Sequence, residues 1–521
     1  MRQSGPPGPP GRGRGLMGRP RVAALSALAL LNVLAIGAGA ALAARLPGRI
    51  RQWQIPAVAV RPLVRPAPVL AGTVLAGTSA GEPQPSGAGL AARLSGLLAA
   101  SALGPHVSAI VADPATGTVL FSDHGDSPAK PASTAKLGTA VAALDTLGPA
   151  ARFTTSVAEP NAGGSGTGGP GTGGSGTGGS GTGGSGPARI ILVGGGDPTL
   201  TAGRPPAGGY PRPATLQALA AGTARALKAQ HRTTIRLGYD TSLFSGPGLA
   251  PGWSPSYVST GNVTSITSLE VDQGRLLPDG LPQDADVPGN LRPRSLSPAA
   301  DAAAAFGRFL GRDGIRVAGS ARPVTAARSE PRIARVSSPP LAAMVEQMLT
   351  ESNNVIAENL ARQVALATGY PASFAGGAQA VTGVLRKLDV ATGVHLVDGS
   401  GLSPLDRIPA ATLVQLVELA ASAGHPALRA AFTGLPVAGF SGTLAGGESV
   451  FSRAAAAARG VVRAKTGNLD TVVTLAGLAY DQDGGVLAFA FMADAVPPND
   501  LLQAAGAIDR MAATLTGCGC R

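Results

Sequence analysis

Pro131-Ala132-Ser133-Thr134-Ala135-Lys136 opens an apolar run, residues 137–147, whose spacing predicts a helix. Residues three apart on a helix share a face, so Lys136 can reach the Ser133 hydroxyl. A serine hydroxyl is a poor nucleophile until a base takes its proton. Lysine is such a base only when neutral, a state favoured by burial and by a nearby positive charge. The helix N-terminus adds positive potential where an alkoxide would form. Composition sharpens the point: the chain has only five lysines (130, 136, 228, 387 and 465) among 42 basic residues. Arginine evidently serves wherever a generic positive charge suffices. Arginine cannot give up its proton, so a lysine at 136 is chemically meaningful.

Two more short motifs complete a set. Ser352-Asn353-Asn354 lies in the break between two helical stretches, residues 341–349 and 355–366. Lys465-Thr466-Gly467 ends a predicted strand, residues 461–465, and Lys465 could supply the positive charge that Lys136 needs. Further strands are expected at 472–479 and 486–492, and an amphipathic helix at 501–515. Near the start, 107–111 and 118–122 read as a hairpin joined by Asp113-Pro114-Ala115-Thr116-Gly117. Consecutive strands flanked by helices predict an α/β (α+β) fold, an antiparallel sheet covered by helices. Alone, Ser-x-x-Lys is commonly a capped helix start and Lys-Thr-Gly a strand ending in a turn. All three motifs in this order carry the functional reading.

The rest of the composition bounds the setting. A net charge of +12 invites a nucleic-acid reading, but ten arginines and no acid lie in residues 1–65. A nucleic-acid binder needs a basic face on its folded part, so no nucleic-acid partner is expected. The arginines bracket residues 22–44, an apolar stretch that would span about 35 Å as a helix, enough to cross a bilayer. It reads as a transmembrane signal anchor, placing the chain on the membrane through its N-terminal helix. Alternatively it is a signal peptide cleaved at a small-x-small site such as Ala38-Gly39-Ala40. Either way the bulk of the chain is exported. Residues 1–21 form a basic tail without apolar surface to fold on, and 45–88 a Pro/Ala-rich stalk. Residues 162–187 repeat Gly-Gly-Ser-Gly-Thr and read as a flexible loop between strands at 152–157 and 190–193. The two cysteines, Cys518 and Cys520, are expected in an exposed tail, 517–521. The five histidines (106, 124, 231, 395 and 425) are scattered without metal spacing, so neither metal nor cofactor is expected.

At these residues the chain resembles a known family, the class C low-molecular-mass penicillin-binding proteins, D-alanyl-D-alanine carboxypeptidase/endopeptidases of peptidase family S13. Closely similar motif triplets mark penicillin-binding proteins and class A β-lactamases. The resemblance extends to Gly194-Gly195-Gly196-Asp197-Pro198-Thr199-Leu200 and to Tyr239-Asp240-Thr241-Ser242-Leu243-Phe244 with Gly252-Trp253 downstream. It includes Asp398-Gly399-Ser400-Gly401-Leu402-Ser403 and the stretch from Leu435-Pro436-Val437 to Gly442-Thr443-Leu444. It covers about residues 90–516. It implies a β-lactamase/transpeptidase-like catalytic domain, parts 89–150 and 336–516, split by a mostly β insert at 151–335.

The resemblance also implies roles. Ser133 would be the acylated nucleophile and Lys136 its base. Ser352 would relay a proton to the leaving amine, and Asn354 would hold Lys136 and the substrate amide. Lys465 would supply positive potential, Thr466 would bond the substrate's terminal carboxylate, and Gly467 belongs to the same substrate-binding strand. The backbone N–H groups of Ser133 and Asn468 would form the oxyanion hole. The family often places Ser or Thr where this chain has Asn468. The substrate would be peptidoglycan stem peptides ending in D-Ala-D-Ala, and β-lactams would be covalent inhibitors. Rival readings are a β-lactamase or esterase on the same scaffold, and a non-catalytic cell-wall scaffold. Three other residues are expected to be structural: Ser400 as a turn residue, Asp197 as a loop-fixing residue and Trp253 as a packing residue.

Overall fold

Strands that alternate side chains between two apolar layers must be covered on both faces, and the central strands of this chain are of that kind. The computed structural model describes residues 84–160, 187–203, 205, 209–276, 292–445 and 455–518. The expected tail 1–21, the apolar stretch 22–44, residues 45–83 of the stalk and nearly all of the Gly/Ser loop lie outside the described residues. No helix among the described residues is long and apolar enough to cross a membrane. In chain order the principal helices are α1 (Gly87–Leu98), α2 (Lys136–Leu147), α3 (Leu216–Ala229), α4 (Pro298–Arg312), α5 (Leu341–Thr350), α6 (Asn354–Ala367), α7 (Phe374–Lys387), α8 (Ala410–Ala421) and α9 (Leu501–Thr516). The principal strands are β1 (Val107–Asp113), β2 (Thr118–Asp123), β3 (Thr154–Ala158), β4 (Ala188–Val193), β5 (Thr234–Asp240), β6 (Arg332–Ser337), β7 (Val462–Leu469), β8 (Val472–Tyr480) and β9 (Val486–Ala493).

The first sheet runs β7-β8-β9-β1-β2 and is antiparallel throughout, as expected. Segments far apart in sequence meet in its middle, where Val107 of β1 pairs with Ala493 of β9. Ile110, Ala112, Ala488, Ala490 and Met492 face one layer, packing with Leu137, Val141, Leu360, Val384 and Leu413 of α2, α6, α7 and α8. Their neighbours Ala109, Val111, Leu487, Phe489 and Phe491 face the other layer, against Leu90 and Leu94 of α1 and Ile508 and Met511 of α9. Residues 136–144 of α2 and 355–365 of α6 are all buried, which makes these helices enclosed on every side rather than surface helices. Alanines at these contacts let the helices close on the sheet.

The second sheet, from residues 154–337, contains β5-β4-β3-β6 with Arg316–Val317 at its β5 edge and Arg322–Pro323 beside β5. The expectation of a mostly β insert needs correction here. β5 is parallel to β4 and to both short strands, and parallel neighbours require a crossover. The crossover from β4 to β5 contains α3, 14 residues, and that from β5 to Arg316–Val317 contains α4, 15 residues. Leu219, Leu227, Phe306 and Leu310 of these helices pack on Ile190, Leu192 and Ile235.

Two local expectations also change. Lys465-Thr466-Gly467 does not end its strand: β7 continues to Leu469, which pairs with Val472 across the two-residue turn Asp470-Thr471. Cys518 does not sit in an exposed tail. It is buried among the apolar residues of the layer that holds α9, Leu515 and Met511 included, and is disulfide-bonded. Phe489 and Phe491 stack at 5.1 Å between ring centroids in this layer. Phe491→Ala is expected to lower stability by about 3–5 kcal/mol, measured by urea unfolding. Leu502→Ala, on the outer face of α9 at 80% exposure, is expected to change it by less than about 0.5 kcal/mol.

Candidate active site

Ser133 does not lie in α2 itself but in the 3₁₀ turn Ala132–Ala135 that leads into it. Ala132 is held at φ +46° although it is not glycine, a conformation costing on the order of 1–3 kcal/mol that persists only where neighbours enforce it. Here they do. The Pro131 carbonyl accepts from the hydroxyls of Thr134 at 2.6 Å and Thr474 at 2.8 Å, pinning the turn to β8. A Cβ on Gly467 would lie 2.7 Å from the Pro131 carbonyl oxygen and 3.0 Å from the Ser133 nitrogen. Only a glycine lets β7 approach the Ser133 backbone this closely.

Lys136 is fully buried, with its Nζ 2.8 Å from Ser133 Oγ, 2.7 Å from Asn354 Oδ1 and 2.8 Å from the Ser400 carbonyl. Burial pushes this lysine down to about 7, against the pull of Asp398, Glu358 and Asp406, whose charges favour the ammonium. Asn354 is the first residue of α6, and its Nδ2 donates to the Asn262 carbonyl at 2.9 Å. That bond settles which end of the amide faces Lys136. Asn353 caps α6, accepting from the Ile356 N–H at 3.1 Å, while its Nδ2 donates to Gln273 Oε1 at 2.8 Å. Ser352, half-buried, stands before this cap at φ +58°. The second motif is therefore fixed from behind by residues 262 and 273.

The third motif comes along β7. Lys465 is buried and donates to the Thr466 carbonyl at 2.8 Å. Burial first, and the Lys136 charge second, hold it well below the usual lysine range. Burial is the largest cause that lowers Lys136, and the Lys136 charge in turn adds to the lowering of Lys465. The Thr466 hydroxyl lies 2.8 Å from that of Thr443. Gly467 is buried against the Ser133 turn, and Asn468 is exposed one residue from the hairpin end of the strand. All three motifs meet at one place, and Ser133, Ser352, Asn354 and Thr466 keep partial access to solvent.

Sequence reading missed what stands behind Lys136. The Ser400 side chain bonds to Glu358 and accepts a long bond from the Leu402 N–H, at 3.4 Å, whereas its carbonyl holds the lysine. Asp197 does fix its loop, accepting from Thr199 at 2.9 and 2.6 Å. Trp253 packs edge-on to Phe374 as expected, but its indole N–H also donates to Asp398 at 2.7 Å. Glu358 is four residues after Asn354, hence on the same face of α6; an acid on so apolar a helix was the available signal. Among the described residues no group of three or more His, Cys, Asp or Glu could hold a metal ion.

Comparison with known proteins bears on this geometry. Residues 90–285 and 279–515 match the profile of the D-Ala-D-Ala carboxypeptidase 3 (S13) family. Carboxypeptidase DacB of Mycolicibacterium smegmatis is 38% identical over 468 residues, 89% of this chain and 91% of that protein. The D-alanyl-D-alanine carboxypeptidase of an Actinomadura species is 29% identical, over 72% of this chain and 75% of its own. Among solved structures, penicillin binding protein 4 of Haemophilus influenzae shares the fold, with a TM-score of 0.59 at 22% identity over 81% of this chain and 98% of that one. With 38% identity across nearly its whole length and a family match from residue 90 to 515, this chain belongs to the D-Ala-D-Ala carboxypeptidase 3 (S13) family.

Proposed function

We propose that Ser133 is the nucleophile and Lys136 the base of the serine-type D-Ala-D-Ala carboxypeptidase activity of this family, acting on peptidoglycan stem peptides. One observation carries the reading. A neutral amine has two N–H donors and one lone pair. Asn354 Oδ1 and the Ser400 carbonyl can only accept, so they take the two donors. The lone pair is left for Ser133 Oγ, the one partner able to donate. Burial makes that neutral amine available near pH 7.

The chemistry follows in two stages. Lys136 takes the Ser133 proton as Oγ attacks the carbonyl of the penultimate D-alanine. The Ser133 and Asn468 N–H groups stabilise the oxyanion, an element worth roughly 10²–10³ in rate per donor. The C–N bond breaks, and D-alanine leaves with a proton relayed through Ser352. Water then attacks the acyl-serine, with the same amine as base. The Lys465 charge attracts the substrate's terminal carboxylate, and the Thr466 hydroxyl bonds it. Asn354 contributes its second amide hydrogen to the substrate. A β-lactam, mimicking the D-Ala-D-Ala bond, is attacked in the same way. Cross-bridge endopeptidase cleavage uses the same acyl-enzyme. The enzyme works outside the cytoplasm, and residues 22–44 provide the membrane anchor or export signal.

Labelled penicillin is expected to attach to the protein at Ser133, as read by mass spectrometry, and Ser133→Ala to abolish both label and D-alanine release. Attachment at another residue would overturn the assignment. The wild-type acylation rate is expected to rise with pH as Lys136 loses its proton, half-maximal near pH 7. Lys136→Arg, which cannot be deprotonated, is expected to lose about 10²–10⁴ in acylation rate. Gly467→Ala should remain folded but acylate at least about 10-fold more slowly, because its Cβ displaces the Ser133 turn. A rate equal to wild type would show that β7 does not hold that turn.

A further inference from the structure

We propose that the buried carboxylates of Asp398 and Glu358 form a two-sided cradle that positions the Ser400 carbonyl on Lys136, making both residues positioning residues of the acylation step. The proposal rests on the reading of Lys136 as base and adds residues to it that touch no substrate. The loop that they hold is short and has no secondary structure of its own. Asp398 Oδ1 accepts from the N–H groups of Ser400 at 3.0 Å and Gly401 at 2.6 Å, and Oδ2 from Ser403 at 2.7 Å. Glu358 accepts from Gly399 at 3.1 Å and from Ser400 at 2.8 Å.

The opposite side of the same backbone faces α2. The Gly399 carbonyl accepts from Thr139 Oγ1 at 2.6 Å and the Ser400 carbonyl from Lys136 Nζ at 2.8 Å. Thr139 and Lys136 are three residues apart on one helix face. Residues 399–401 are therefore clamped, N–H groups to carboxylates and carbonyls to α2. The peptide unit whose carbonyl holds Lys136 is the one whose N–H, on Gly401, donates to Asp398. Such a bond polarises the carbonyl at the other end of the unit. Steric fit tightens the clamp. A Cβ on Gly399 would come 2.7 Å from the Ala361 Cβ, and one on Gly401, at φ +79°, would collide with the Ala132 backbone next to Ser133.

The cradle also sets charge. The ionisable groups acting on Lys136 are Asp398, Glu358 and Asp406, all favouring its ammonium, with Lys465 coupled to it from β7. Those acting on Glu358 are Asp398, which raises it, and Arg362, which opposes the rise from 3.9 Å away; burial, the larger cause, brings it to about 8. Burial first, and the Asp398 charge second, push Asp406 up to about 10, and its pull on Lys136 is the weakest of the three. Asp398 is thus the leading carboxylate pull on the lysine.

The test compares acylation by a fluorescent penicillin across pH for the full chain and its Asp398→Asn and Glu358→Gln variants. Each variant is expected to lower the plateau acylation rate by about 10- to 100-fold, with pre-covalent penicillin affinity unchanged. Removing the Asp398 charge is expected to move the acid limb about one pH unit lower. Glu358→Gln decides the question by the same readouts if Asp398→Asn does not fold. Folded variants that acylate at the wild-type rate with an unmoved limb overturn the proposal, as does activity lost only in step with folded fraction. Failure of the underlying reading looks different: the wild type itself would then not be labelled at Ser133.

Discussion

A lysine amine removed from water must satisfy its hydrogens with fixed partners, and the cost of leaving one unmet is several kcal/mol. Lys136 meets this constraint with groups from three distant segments: its own turn, the start of α6 and the loop 398–403. Each segment must be held to within a few tenths of an ångström for the three bonds to coexist. Much of the surrounding architecture answers that requirement. β8 ties down the Pro131 carbonyl, and Asn262 orients the Asn354 amide.

The segment between the two halves of the first sheet is part of this arrangement. Its residues reach α6 and the loop behind Lys136 through Asn262, Gln273, Glu270 and Trp253. Gln363 of α6 answers by donating to the Gly195 carbonyl at 2.9 Å. Asn359 receives its support in the same way, from Glu270 at 3.0 Å. Most of these bonds involve buried side-chain amides and carboxylates, groups that lose little freedom once a rigid helix carries them. A site assembled so is stiff on the side away from the substrate and open on the other.

How much of this was legible in the chain depends on which atoms do the work. The Ser133, Ser352 and Lys465 motifs were readable because side-chain identity carries their chemistry. The strands β1, β2, β8 and β9 were readable because their apolar runs are bounded by turn residues. The Ser400 and Asn262 carbonyls were not, since any residue would supply the same oxygen. Asp398 was visible as part of a glycine-rich turn, yet nothing local shows that its carboxylate folds back on the next N–H groups. The helices α3 and α4 explain the misjudged insert. The residues between 188 and 340 gave mixed signals, and the resemblance to a family with β inserts outweighed them. That burial is the first cause lowering both Lys136 and Lys465 was not legible, because burial depth cannot be read from a strand pattern alone.

The pairing of β1 with β9 has a bearing on when the enzyme comes into being. The paired residues Val107 and Ala493 are far apart in sequence, so the central ladder closes only after β9 has been made. A nascent chain that stops short of β7 holds Ser133 and Lys136 without the strand that carries Gly467 and Lys465. Cutting power over the wall is in this way withheld from incomplete molecules by topology alone, with no inhibitory segment required. The same arrangement leaves the apolar underside of β1 covered only by α1 until α9 arrives, so the waiting intermediate needs protection from aggregation.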